Sequence, residues 1–255
     1  MRQLKDTIMN IKCIVAAILL AVPLEISAQT VIDKSIPVHA GQKIVMHFDY
    51  PEIIRVTTWE KNEIEIKGLV SINGGENDEA FQLILSTSGN LIDIHNEIRD
   101  FKNLPHRITV VDGAQTIRFK DKEELKKYQQ EQGKGGFERM SWGVDMDIDL
   151  EIKVPRNVET RVESVYGMVE VDSFSGPLTV VSTYGGVDVS LQERTTGEIV
   201  AETNYGEIFT NLEARFAGDA LKNKDFHIYV QAKPGTGPRY NLESKYGNVY
   251  LRKAN

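Results

Sequence analysis

The sequence predicts an all-β protein, a single-stranded β-helix or β-solenoid with ~20-residue coils, plus a short surface helix in an insertion near 120–132. Three observations predict it. SVYGMVEV (164–171) recurs as STYGGVDV (182–189), TNYGEIFT (203–210) and SKYGNVYL (244–251). The stretches around these copies alternate apolar and polar residues with the period of two that belongs to strands. Helix-forming composition is confined to one segment, FKDKEELKKYQQEQGKGG.

Taken in chain order, residues 1–28 read as a signal peptide. Lys5 and Lys12 precede ten apolar residues, Cys13 to Val22, and small residues lead up to Gln29. That run would extend only ~15 Å as a helix, half a bilayer core, so no stable membrane span is expected once it is removed. Cys13 is the only cysteine and lies inside the run, so the mature chain is held by packing and backbone hydrogen bonds without disulfides. The expected location is periplasm, cell surface or medium. Removing three cations and two anions with the leader moves the formal charge from −7 to −8. Such an acidic chain excludes nucleic acid and anionic membrane surfaces as expected partners.

From Gln29 to about Glu97 the pattern gives short strands. IIRVTTWEKNEIEIKG (53–68) reads as two strands around a turn at Glu60-Lys61-Asn62. AFQLILSTSGNLIDIHNEI (80–98) reads as two more around Ser88-Gly89-Asn90. Residues 99–142 form an insertion. Within it Glu123 and Lys127 stand four apart, which supports a helix, while Leu125 and Tyr128 are its only apolar stripe. A surface helix or mobile excursion ended by Gly133 is expected. VDMDIDLEIKVP (144–155) then alternates strictly, with Met146, Ile148, Leu150, Ile152 and Val154 on one face.

The Tyr-Gly repeats fill 160–255. Tyr166, Tyr184, Tyr205 and Tyr246 are separated by 18, 21 and 41 residues, so an enlarged coil with DFHIYVQA (225–232) as its strand is expected between the last two. Aligned on tyrosine, the copies have Val162, Val180, Ala201 and Leu242 four residues before it and Ser164, Ser182, Thr203 and Ser244 two before. Val169, Val187, Ile208 and Val249 follow three after. Apolar parity changes across Gly167, Gly185, Gly206 and Gly247, so each glycine is expected at a bend between two strands. Alternation places the tyrosines on the face of Val162 and Ser164. A stacked ladder, buried or at the corner, is therefore expected over the alternative of an exposed row that could stack on sugar rings. The serines and threonines are expected to hydrogen-bond along their column.

The signal peptide, FDYPEIIRVTTWEKNEIEIKG, IDLEIKVP and the four Tyr-Gly motifs resemble the bacterial exported "putative adhesin" domain and the related head domain of auto-transporter-like adhesins. The resemblance spans 29–255 apart from the 99–142 insertion. It implies a β-solenoid and supplies no catalytic residues.

Candidate chemistry is sparse. Asp145, Asp147, Asp149 and Glu151 have the composition of a calcium site, but same-face residues along one strand stand ~6.6 Å apart, whereas calcium gathers oxygens at ~2.4 Å. His39, His47, His95, His106 and His227 are dispersed, and Trp59 and Trp142 are isolated. There is no Gly-x-Ser-x-Gly elbow, no phosphate loop and, after the leader, no cysteine nucleophile. No catalytic residue and no cofactor is therefore assigned. The expected function is a non-enzymatic exported envelope scaffold for adhesion or interaction, its partner an envelope protein or a glycan. Two alternatives are a calcium-dependent polysaccharide-degrading β-helix, drawing on Lys153 and Arg161 beside Asp149 and Glu151, and a periplasmic signalling or stress-response partner that makes contact through 115–140.

Overall fold

The computed structural model describes residues 29–133, 135–217 and 226–254; the expected signal peptide with Cys13 lies outside them. In chain order the strands are β1 (Thr30–Pro37), β2 (Lys43–Phe48), β3 (Ile53–Trp59), β4 (Glu63–Ile72), β5 (Phe81–Ser88) and β6 (Leu91–Ile98). The insertion contributes β7 (Arg107–Asp112), β8 (Gln115–Phe119), helix α1 (Lys122–Gln132) and β9 (Arg139–Gly143). There follow β10 (Met146–Pro155), β11 (Thr160–Ser164), β12 (Met168–Asp172), β13 (Leu178–Ser182), β14 (Val187–Leu191) and β15 (Glu198–Thr203). The last are β16 (Ile208–Thr210), β17 (Ile228–Ala232), β18 (Arg239–Ser244) and β19 (Val249–Lys253).

Two eight-stranded mixed sheets carry the fold, and this corrects the expected β-helix. Sheet one runs β1-β4-β10-β3-β12-β14-β19-β16 and sheet two β17-β15-β18-β13-β11-β2-β6-β5. Their middles are parallel, but β1, β4, β5 and β17 pair antiparallel. The repeats also fail to stack in chain order. The fourth copy, β18 and β19, lies between the second, β13 and β14, and the third, β15 and β16. The reason lies in Ile228–Ala232. It forms β17 and turns back antiparallel onto one edge of β15, in register Ala201↔Val230, instead of winding a further coil. With that edge occupied, β18 can pair with β15 only on its other side.

Each copy is strand, corner, strand, one strand in each sheet. The apolar columns face inward: Val162, Val180 and Ala201 are fully buried, as are Val169, Val187 and Val249. Burying one such side chain contributes about 1.5–3 kcal/mol. The largest buried side chains, Phe48, Ile44, Met46, Ile54 and Leu150 among them, belong to the N-terminal strands and β10, so the core continues through the first half of the chain. The Gly89 turn joins β5 to β6 as expected, Gly89 taking φ +59. β3 and β4, by contrast, do not pair with each other, because β10 lies between them.

The insertion is more than a surface helix. β8-β7-β9 form a separate sheet on which α1 packs, with Ile108, Val110, Phe119 and Leu125 as a second core. The Asp121 carboxylate caps α1 by accepting from the Glu123 and Glu124 amides at 2.8 and 2.9 Å, and Gly133 ends the helix in the left-handed region. Leu125 alone could not hold the helix; Phe119 and Tyr128, with rings 5.3 Å apart, supply what the thin stripe lacks.

Candidate functional site: a row of aromatic rings

The site begins with the corners. After Ser164 the strand ends and Val165 to Gly167 bend, so alternation no longer governs where Tyr166 points. The four tyrosines are exposed, not buried: Tyr166 by 58%, Tyr184 by 55%, Tyr205 by 62% and Tyr246 by 52%. The backbone sets their spacing. Tyr184 N–H donates to Val165 C=O at 2.8 Å, Tyr246 N–H to Thr183 C=O at 2.9 Å and Tyr205 N–H to Lys245 C=O at 3.1 Å. Each tyrosine amide thus bonds the residue just before the tyrosine of the neighbouring layer.

The rings stack in the order 166, 184, 246, 205. Centroid separations are 5.3, 5.1 and 5.1 Å and interplanar angles 14°, 14° and 6°. The tyrosines therefore align, but Tyr246 stands between Tyr184 and Tyr205, as the strand order requires.

Three rings missed in the sequence extend the row. Tyr50 stacks 6.2 Å from Tyr166, Phe101 5.4 Å from Tyr50, and Phe226 5.8 Å from Tyr205. A signal for Tyr50 was present. Phe48 pairs with Ser164 and stands two before Tyr50, as the serines stand two before their tyrosines. Ile54, the register partner of Val169, follows Tyr50 by four residues instead of three, and this extra residue hides the copy. Phe101 opens a short 3-10 helix and Phe226 lies in the turn before β17, and neither carries a repeat signal.

Beneath the rings the polar groups are satisfied. Ser244 Oγ accepts from Gly247 N–H at 2.9 Å and donates to Gly185 C=O at 2.8 Å; Thr203 Oγ1 does the same with Gly206 N–H and Gly247 C=O. Ser164 Oγ accepts from Gly167 N–H, and Ser182 Oγ donates to Gly167 C=O. The hydroxyls therefore clamp the glycine corners, many of them across layers, and do not bond along their own column. The glycines serve closeness, not bend angle: none of Gly167, Gly185, Gly206 and Gly247 takes a positive φ, and an added Cβ on each would overlap a carbonyl oxygen of the adjoining layer.

Around the row's five tyrosines the nearest charged residues are mostly acidic, while Arg99, Asp100 and Lys102 flank Phe101 at its end. Asp49 adjoins Tyr50, Glu52 follows two residues on, and Glu207 follows Gly206, while Lys245 is the cation that adjoins a row tyrosine. Burial, with Asp147 and Asp149 behind it, holds the Glu52 carboxyl above the usual range, and burial followed by Asp49 raises the Tyr50 phenol. Three residues before the tyrosines, Glu163, Glu243 and Glu202 stand on the outer face of the second sheet.

His47 lies on that face between Glu163 and Asp49, at 3.0 and 2.9 Å, in register with His95, which is 3.1 Å from Asp93. Burial disfavours the charged His47 ring, but the hydrogen bonds to Glu163 and Asp49 outweigh it and raise its pKa above the ordinary 6.5. A raised histidine contributes stability that is fully present below 6.5 and lost as pH rises through the folded value. The melting temperature is therefore expected to fall between pH 6 and 8 by no more than about 4 °C, since both partners are substantially exposed. In His47→Gln that slope should flatten; an unchanged slope in calorimetric scans would remove the assignment.

The other sequence candidates do not converge. Asp145 pairs with Arg118 at 2.7 Å and Asp149 with Arg55 at 3.4 Å, so two of the row's four acids are drawn into separate ion pairs, and Lys153 pairs with Glu65 at 3.0 Å. Arg161 stands on β11 in the second sheet, paired with Glu163, away from Lys153, Asp149 and Glu151 on β10 in the first. Among the described residues no group of three or more His, Cys, Asp or Glu side chains could hold a metal ion. His106 accepts from Trp142 Nε1 at 2.7 Å, His227 faces Glu202 at 2.8 Å, and His39 is exposed. Trp59 Nε1 donates to Glu63 C=O at 2.7 Å beneath Lys61.

No family model and no curated protein matches the chain. Two solved structures resemble it. A "putative cell adhesion protein" from Clostridium sporogenes is 8% identical with a TM-score of 0.45, over 89% of this chain and 100% of that one. A "putative adhesin" from Bacteroides fragilis is 10% identical with a TM-score of 0.21, over 88% and 98%. No helix among the described residues is long and apolar enough to cross a membrane.

Proposed function

We propose that the chain is a non-enzymatic exported protein of the cell envelope that presents a rigid corner for adhesion or interaction. One observation carries the reading: seven aromatic rings from seven places in the sequence form a single stacked row, six of them exposed. Stacking stabilises the fold by about 0.5–1.5 kcal/mol per pair, yet burial would serve that purpose better. Exposed contiguous aromatic surface marks interaction sites, and aromatic side chains dominate binding energies. Of the residues the enzymatic alternative draws on, Arg161 stands in the other sheet from Lys153, Asp149 and Glu151, so the set is not gathered on one face. Co-sedimentation with purified envelope fragments tests the proposal. The double variant Tyr184→Ala/Tyr246→Ala should bind at least tenfold more weakly, about 1.4 kcal/mol, with its circular dichroism spectrum unchanged. Equal binding by a folded variant would refute the proposal.

A further inference from the structure

We infer that the aromatic row is a track for an extended, uncharged polysaccharide, one pyranose residue to each protein layer; this rests on the adhesion reading and names its ligand class. The step is the first argument. The four tyrosines advance by 5.1–5.3 Å, fixed by backbone hydrogen bonds between layers. One residue of an extended β-1,4-linked sugar chain advances by nearly the same distance. An extended peptide does not match, because its same-face side chains recur every ~6.6 Å and slip by about 4 Å over three steps.

The second argument is what each layer offers. With planes 6–14° apart, ring faces turn toward one another, and the row shows outward a repeated edge tipped by a phenol hydroxyl. With the ring faces taken up by their neighbours, a sugar chain lying along it would make van der Waals contact with the ring edges and exchange hydrogen bonds with hydroxyls at each step. Because the layers are locked by the backbone, the row pays little ordering entropy on binding.

Charge is the third argument. Beside the row's tyrosines Asp49, Glu52 and Glu207 outnumber Lys245, while beyond them Glu163 is paired with Arg161, Glu202 faces His227, and Glu243 stands on the same face. A polyanionic glycan or a nucleic acid would meet carboxylates at both ends of the tyrosine stack, Asp49 and Glu52 beside Tyr50 and Glu207 beside Tyr205, whereas an uncharged chain meets no such repulsion.

Titration calorimetry of the mature chain with β-1,4-linked glucose oligosaccharides tests this. Affinity should climb steadily from the disaccharide to the hexasaccharide, as successive layers engage. Tyr184→Ala/Tyr246→Ala should lower hexasaccharide affinity at least tenfold, and Tyr184→Phe/Tyr246→Phe, which keeps the stacking, by roughly threefold. Carboxymethylated β-1,4-linked glucose chains, which keep the linkage and add charge, should bind more weakly than the neutral chain at equal length. Affinity independent of chain length, preference for the polyanion, or a Phe variant as weak as the Ala variant would each overturn the inference. Ladder-dependent binding to envelope fragments without oligosaccharide binding would overturn it while leaving the adhesion reading standing. Loss of both would end the two together.

Discussion

Gly185→Val should unfold the protein at a temperature lower by about 6–12 °C, the equivalent of about 3 kcal/mol for a domain of this size. Gly185 lies in a column with Gly167, Gly247 and Gly206, where the backbones of successive layers touch. A Cβ at Gly185 would overlap the Gly167 carbonyl oxygen, and one at Gly247 would overlap that of Gly185. The obstructing atoms are backbone, already held by the Tyr184 and Tyr246 amide bonds on either side, so no side chain can swing away to make room. The layers must part, and with them the hydrogen bonds and the apolar contacts of Val187 and Val249. Gly135→Ala is the matching control, since nothing lies within 4 Å of its added Cβ and its φ is not positive. Calorimetric scans that gave Gly185→Val and Gly135→Ala the same midpoint would show that close approach does not hold the layers.

Ser244→Ala should cost about 2–3 kcal/mol in denaturant titrations, with the slope of the transition unchanged. Ser244 is fully buried, and its hydroxyl serves two backbone groups in different layers, Gly247 N–H and Gly185 C=O. Alanine leaves both without a partner in a place with little access to water. Ser244→Thr should cost less than about 1 kcal/mol, because Thr203 makes the same pair of bonds at 2.9 and 3.0 Å in the adjoining copy. This explains why the column admits serine and threonine alike. Equal losses in the two variants would mean that the hydroxyl is incidental.

The local units could be read from the residues because period two and the Tyr-Gly corners are local properties. Met146 to Val154 on β10 and the buried valine columns lie where alternation places them. Stacking order could not be read in the same way. All four copies present nearly the same edge to a neighbour, so the choice between them is settled by a distant event, the return of β17 onto β15. The aromatic row was half visible. Its four tyrosines announce themselves, but their exposure depends on a bend that cancels alternation at Val165, and Tyr50 is disguised by one extra residue. The insertion was underestimated for a related reason. Its core joins Ile108 and Val110 to Phe119 and Leu125 across two turns, and no single window shows that union.

The placement of β18 and β19 has a consequence for assembly. These strands follow every other described strand along the chain, yet they belong in the interior of both sheets, between partners made earlier. Until they arrive, β15 and β16 have no parallel neighbour and the tyrosine row is broken between Tyr184 and Tyr205. β18 and β19 thus act as a keystone, and the two sheets close only when both are in place.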